Sequence, residues 1–223
     1  MSSVFKCLVL DHDDTAVNST ASIHYPAHLK GMEVLRPGIP AINLEGWYLK
    51  NFHPGVMEYL VDELGFSEQE LEVEYRIWRE FNTGAVAEFF PGILEVLKGF
   101  RERGGIVTVV SHSERDVILK AYESAPGNGD FMPDLVFGWD PEKSRRKPSP
   151  WPVEEILRRF GLEKRQVLVL DDLKPGVLMS RAAGVAVAGA GWAHRIPQIQ
   201  SYMRRHCLAY FETVAEFREF ILC

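Results

Sequence analysis

Asp11-His12-Asp13-Asp14-Thr15 sets three carboxylates close together at the end of a short apolar run, Val4 to Leu10. Like charges at this spacing raise one another's pKa values unless a cation neutralises them, and oxygen ligands of this hard kind suit magnesium. An isolated Asp-x-Asp is more often a solvated acidic turn. Three further positions weigh against that reading. Ser111 follows Ile106 to Val110, Lys147 opens Lys147-Pro148-Ser149-Pro150 ahead of a helical pattern at Val153, and Asp171 and Asp172 follow Val167 to Leu170. Singly, each has an ordinary explanation: a serine at a strand end caps a helix, a lysine is solvated, and an aspartate pair serves as a helix N-cap. Together they place carboxylates and a hydroxyl at the ends of expected strands, where an open parallel sheet has its ligand crevice, and an ammonium just before an expected helix.

The elements that must hold these groups follow from periodicity. Val4 to Leu10, Ile106 to Val110, Val167 to Leu170 and Val185 to Ala188 are short, mostly apolar runs of the kind that buried parallel strands present. Between them, Ile93, Val96, Leu97 and Phe100 fall at helical spacing, with Pro91 expected in the first turn; Val153, Ile156, Leu157 and Phe160 repeat the spacing and stop at Gly161. Alternation of this sort over residues 89 to 223 predicts an α/β fold, a Rossmann-like parallel sheet with helices on both faces. Leu208 to Phe211 is expected as an edge strand, followed by a helix from Val214 with Thr213 and Glu216 in capping-box positions.

Residues 18 to 88 lack strand-like runs. Met57, Leu60, Val61 and Leu64 stand at helical spacing, and Ser67 and Glu70 form a capping-box candidate. Pro26, Pro37, Gly38 and Pro40 are expected to break the first half of this segment, and Asn82, Thr83 and Gly84 to supply a flexible return. The expected organisation is an α/β core over 1 to 17 and 89 to 223, with a helical insertion over 18 to 88.

Composition narrows the function classes. With 31 acidic and 25 basic residues among 223, the net charge of -6 lacks the basic excess of a phosphate-backbone binder, so nucleic acid is not an expected partner. No run of about 18 apolar residues occurs, and no leader pattern opens the chain, so no membrane is expected and a cytoplasmic location is the default expectation. Cys7, Cys207 and Cys223 fit neither a disulfide framework nor a zinc site, and Cys7 reads as a small core residue.

Taken in order and context, Asp11 to Thr15, Ser111, Lys147 and Asp171-Asp172 resemble the four motifs of the haloacid dehalogenase superfamily. Phe90-Pro91-Gly92, Gly104-Gly105 and Ala182-Ala183-Gly184 are similar to its phosphoglycolate phosphatase and β-phosphoglucomutase branch. The resemblance implies that the insertion is a mobile cap, that Asp11 is the nucleophile and Asp13 the general acid and base, and that Ser111, Lys147 and His112 bind phosphate. It further implies a Mg2+ held by Asp11, Asp13 and Asp172, with Asp171 beside them. The implied substrate is a small organic phosphate ester, since relatives acting on halides or phosphonates lack an aspartate at the position of Asp13. Hydrolysis through an aspartyl phosphate is the leading expectation; a sugar phosphomutase and a non-catalytic phosphoryl-accepting protein are the alternatives, and a monomer or homodimer is expected. His12, His112 and Gly176 depart from the family's pattern, the last standing where many relatives carry another aspartate. Metal binding is expected to survive that change.

In the insertion, His24, His28, Lys30, Arg36, Lys50, His53, Arg76 and Arg79 are groups that could meet an anion, most of them read as solvated surface. Trp47, Tyr48, Phe52 and Trp78 read as its core.

Overall fold

The computed structural model describes residues 5–223, so Val4 of the first expected strand lies outside the described residues. In chain order the elements are β1 (Cys7–Leu10), β2 (Val17–Asn18), a π-helical turn (Thr20–His24), α1 (Tyr25–Leu35), α2 (Leu44–Phe52), α3 (Val56–Glu58), a second π-helical turn (Tyr59–Glu63) and α4 (Glu68–Gly84). There follow β3 (Glu88–Phe89), α5 (Ile93–Glu102), β4 (Ile106–Val110), α6 (Arg115–Ser124), β5 (Leu135–Phe137), α7 (Trp151–Phe160), β6 (Val167–Asp171), α8 (Lys174–Ala183), β7 (Ala186–Ala190), α9 (Pro197–His206), β8 (Ala209–Phe211) and α10 (Val214–Leu222). The chain divides into two compact units, one reaching Asn18 and resuming at Glu88–Cys223, the other Ser19–Ala87.

The first unit is built on a six-stranded sheet in the order β5-β4-β1-β6-β7-β8, with every neighbouring pair parallel. From β1 the chain steps outward through β4 and β5, then returns to β1's other side and steps outward through β6, β7 and β8. The order therefore reverses at β1, and the crevice of such a sheet opens beyond the carboxyl ends of β1, β4 and β6. All four residues of β1 are fully buried, as a central strand covered on both faces requires. Right-handed crossovers place α5, which enters β4, and the crossover helices α8 and α9 on opposite faces, while α10, after the last strand, returns to the face of α5. Accordingly α5 packs with α10, and α8 with both α7 and α9.

Several local expectations meet their physical cause here. α7 stops at Gly161, whose φ of 61° is the left-handed conformation that ends helices without a Cβ penalty. The Thr213–Glu216 capping box is formed, and β8 is the sheet's edge. Pro91 lies before α5 rather than in its first turn, because Gly92 takes a φ of 88° and the helix opens at Ile93. β5 has no counterpart among the expected strands; three residues between a loop and a glycine carry too little pattern to announce themselves.

The second unit is helical, with Met32, Trp47, Tyr59, Leu60 and Phe66 as its core. Tyr48 and Phe52 are also buried, and the Ser67–Glu70 capping box opens α4. Pro26 does not break the chain's first helical stretch: it is the second residue of α1, and the wide π turn before it accommodates the missing N–H. Pro37, Gly38 and Pro40 do lie in the non-helical stretch before α2. Asn82, Thr83 and Gly84 form the last turn of α4 instead of a flexible return, the Asn82 amide donating to Trp78 O at 2.8 Å and the Thr83 hydroxyl to Arg79 O at 2.9 Å. Met57 and Val61 are 43% and 41% exposed, although Leu60 is buried. The π turn over Tyr59–Glu63 rotates the stripe, so that Tyr59 turns inward in their place.

Candidate active site

Each expected site residue sits at the carboxyl end of a strand or in the loop beyond it. Asp11 extends β1 by one residue, its N–H donating to Leu170 O at 2.9 Å, and Ser111 extends β4 in the same way, donating to Phe137 O at 2.9 Å. Asp171 is the last residue of β6. After Asp11 the chain folds on itself: the N–H groups of Ala16 and Val17 both donate to His12 O, and Asp14 N donates to Val17 O at 2.7 Å. Asp14 takes a left-handed φ of 59° to make this turn, a conformation that aspartate tolerates better than most side chains.

Lys147 ties the strand ends together. Its Nζ is 2.6 Å from Asp11 Oδ1 and 2.9 Å from Asp171 Oδ2, with all three side chains buried. Burial alone favours a neutral amine, but the charges of Asp11 and Asp171 outweigh it and hold the ammonium well above its ordinary pKa. Asp11 and Asp172 are pushed the other way, well above the usual carboxylate range. Burial is the main cause for both; Asp171 adds to it in each case, and Lys147 opposes it.

Carboxylate oxygens of Asp11, Asp171 and Asp172 lie within 4.8 Å of one another, all three residues buried. Asp172 Oδ2 is fully enclosed and accepts no hydrogen bond among the described residues. Hard oxygen donors, one of them accepting no hydrogen bond among the described residues, in surroundings that disfavour their ionised forms suit a divalent cation. Asp13 is not in this cluster. It is only partly buried, and its Oδ2 accepts from Ser111 Oγ at 3.1 Å and Ser113 Oγ at 2.7 Å.

His112 is exposed, and its Nε2 lies 2.9 Å from Lys147 O. A carbonyl can only accept, so Nε2 carries the proton. Desolvation by the protein around the ring and the Lys147 charge lower its pKa, leaving a neutral ring whose Nδ1 can only accept. His12 is buried beside Tyr122. Gly176, in α8, lies over Asp171: a Cβ there would stand 2.1 Å from the Asp171 carboxylate.

Four neighbours lacked a role in the motif reading. Ser113 and Thr15 lie inside or beside the motifs, and their polar side chains at strand ends were the available signal. Trp192 and His194 come from the loop after β7, which no motif marks. Thr15 Oγ1 donates to Asp172 Oδ1 at 3.5 Å, Trp192 Nε1 to Thr15 O at 3.0 Å, and His194 Nε2 is 3.6 Å from Asp172 Oδ2.

A family model for haloacid dehalogenase-like hydrolases matches residues 9–190, a span from β1 to the end of β7 that takes in all four groups. The chain belongs to this family. Among relatives of the haloacid dehalogenase-like hydrolase, a phosphoglycolate phosphatase of Haemophilus influenzae (strain 86-028NP) is 26% identical over 212 residues, covering 90% of this chain and 93% of its own. A haloacid dehalogenase-like hydrolase structure from Bacteroides fragilis superposes with a TM-score of 0.78 at 18% identity, over 96% of this chain and 99% of that one. A structure described as a β-phosphoglucomutase from Bacteroides vulgatus gives 0.75 at 23% identity, over 98% and 88%. At these identities the two structures speak for the fold alone. Among the described residues, no helix of the hydrolase is long and apolar enough to cross a membrane.

Proposed function

We propose that this protein is a magnesium-dependent phosphatase that hydrolyses small organic phosphate monoesters by way of an aspartyl phosphate on Asp11. The observation that carries the reading is the pairing of Asp11 with the buried Lys147 ammonium beside Asp171 and Asp172, while Asp13 stands apart on two serine hydroxyls. The full-length similarity to phosphoglycolate phosphatases supports the substrate class.

Asp11, Asp171 and Asp172 would hold the cation, which supplies positive charge against a dianionic phosphate. A carboxylate oxygen of Asp11 attacks phosphorus, and the bond from phosphorus to the ester oxygen breaks. Asp13 gives its proton to that oxygen as the alcohol leaves. The Asp13 carboxylate then takes a proton from water, whose oxygen attacks the same phosphorus; phosphate departs and Asp11 is restored. Lys147 and Ser111 bind the phosphoryl oxygens, and the serine pair aims Asp13. The neutral His112 has donated its one N–H to Lys147 O, so we assign it to holding the Lys147 backbone and not to binding phosphate through its side chain. The helical insertion is assigned the part of a cap that selects the leaving group.

The test uses p-nitrophenyl phosphate, whose leaving group scarcely needs a proton. Asp11→Asn should give no turnover and no covalent adduct. Asp13→Ala should give a burst of at most one equivalent of p-nitrophenol per site, then a steady rate slowed by on the order of 100-fold, with acid-quenched protein phosphorylated on Asp11 by mass spectrometry. An adduct that survives Asp11→Asn would move the nucleophile elsewhere, and isomer formation from a sugar phosphate without phosphate release would make the protein a mutase.

A further inference from the structure

The turn that carries Asp11 and Asp13 is under two loads. Asp14 holds a left-handed backbone conformation, and Asp11 stands close to other buried carboxylates that repel it. Within the turn, the carbonyls of His12 and Val17 are satisfied by its own N–H groups. The Thr15 carbonyl is satisfied from elsewhere, by the indole N–H of Trp192 at 3.0 Å. Thr15 is fully buried, and its hydroxyl reaches on to Asp172 Oδ1. The indole is placed by packing against Phe90 and Phe217, with ring centroids 6.4 and 6.3 Å away. One side chain from the loop after β7 thus connects, through a single residue, the turn after β1 to a carboxylate after β6.

We propose that Trp192 is a positioning residue: its N–H on the Thr15 carbonyl fixes the turn that carries Asp11 against Asp172, and so sets the affinity of the carboxylate cluster for a divalent cation. The proposal rests on the assignment of Asp11, Asp171 and Asp172 as cation ligands. His194, from the same loop and 3.6 Å from Asp172 Oδ2, bounds the cluster on that side.

Trp192→Phe keeps one aromatic ring beside Phe90 and Phe217 and removes the N–H together with the pyrrole half of the indole. Magnesium and manganese binding to the chelator-treated full chain is measured by calorimetry, together with the Tm of the metal-free protein. Cation affinity should fall about tenfold, and the metal-free Tm by about 2–8 °C, since the Thr15 carbonyl loses its donor and the smaller ring fills less of the site. Phe90→Leu, which disturbs the packing and leaves the N–H in place, should lower Tm more than cation affinity. Thr15→Val, which removes the hydroxyl on Asp172 and keeps the indole bond, serves as a second measurement should Trp192→Phe fail to fold, and should also weaken cation binding.

Unchanged affinity in Trp192→Phe, or in Thr15→Val where the former does not fold, overturns the proposal. So does a loss of affinity that only parallels a loss of Tm across all three variants. Wild-type protein that binds no cation overturns both this proposal and the cation-ligand assignment. Wild-type protein that binds the cation but turns over no phosphate ester overturns the phosphatase reading and leaves the role of Trp192 to be decided by the affinities.

Discussion

Gly176 shows how a single position can be misread from a family pattern. Where many relatives carry an aspartate, its absence looks like a lost metal ligand, yet here the backbone of α8 comes so close that a Cβ would stand 2.1 Å from the Asp171 carboxylate. The glycine makes room for the residue that shares Lys147 with Asp11. Gly176→Ala should therefore push Asp171 off Lys147, lowering the rate on every ester by about tenfold or more and destabilising the fold by roughly 1–3 kcal/mol, as overpacking does. Steady-state rates on two unrelated esters and a urea melt check it, and a variant as active and stable as wild type would show that the helix can shift to accept the methyl group.

Among the elements, α4 carries a charge at odds with its surroundings. The Glu74 side chain packs beside Gly31 of α1, where the two helices meet, and burial pushes its pKa up to about 7. The ordinary value is 4.5, so the folded chain holds this proton more tightly than the unfolded chain does. Stability from this group is present below about pH 4.5 and is lost as pH rises through about 7. Glu74→Gln should leave the Tm unchanged at pH 4.5 and raise it at pH 8 by about 2 °C, a modest gain because Glu74 is only partly enclosed. A melt at each pH decides it: an equal shift at both would mean that charge is not the cause.

For the whole molecule, the cation should act as a folding ligand. Asp11 and Asp172 have folded-state pKa values raised by burial, so the metal-free protein is favoured by protons at this site and loses that contribution as pH rises above the ordinary carboxylate range. A divalent ion that binds only the native cluster replaces the protons. At a hundredfold excess over Kd it adds about 2.7 kcal/mol, or about 5–10 °C in Tm for a chain of this size. The rise should be largest near pH 8 and shrink towards pH 5, where protons compete for the same oxygens. Calorimetric scans with and without magnesium at both pH values test it, and a rise independent of pH would place the ion elsewhere.

What could be read from the sequence was whatever is encoded over a few neighbouring residues. Buried parallel strands are short, mostly apolar runs, so Ile106 to Val110 and Val167 to Leu170 were legible, and with them the serine and aspartates that follow, while Lys147 was legible from the helical pattern it precedes. Caps and stops such as Thr213 with Glu216, and Gly161, are equally local. Tertiary structure decided everything that depends on chains crossing. The π turn that rotates Tyr59 inward, the three-residue β5, the removal of Asp13 from the carboxylate cluster by Ser111 and Ser113, and the reach of Trp192 to Thr15 have no periodic or motif signal. Each is settled by which groups a parallel sheet brings side by side at its carboxyl edge, and hydrogen bonds and charge repulsion act over that distance in space whatever the separation along the chain.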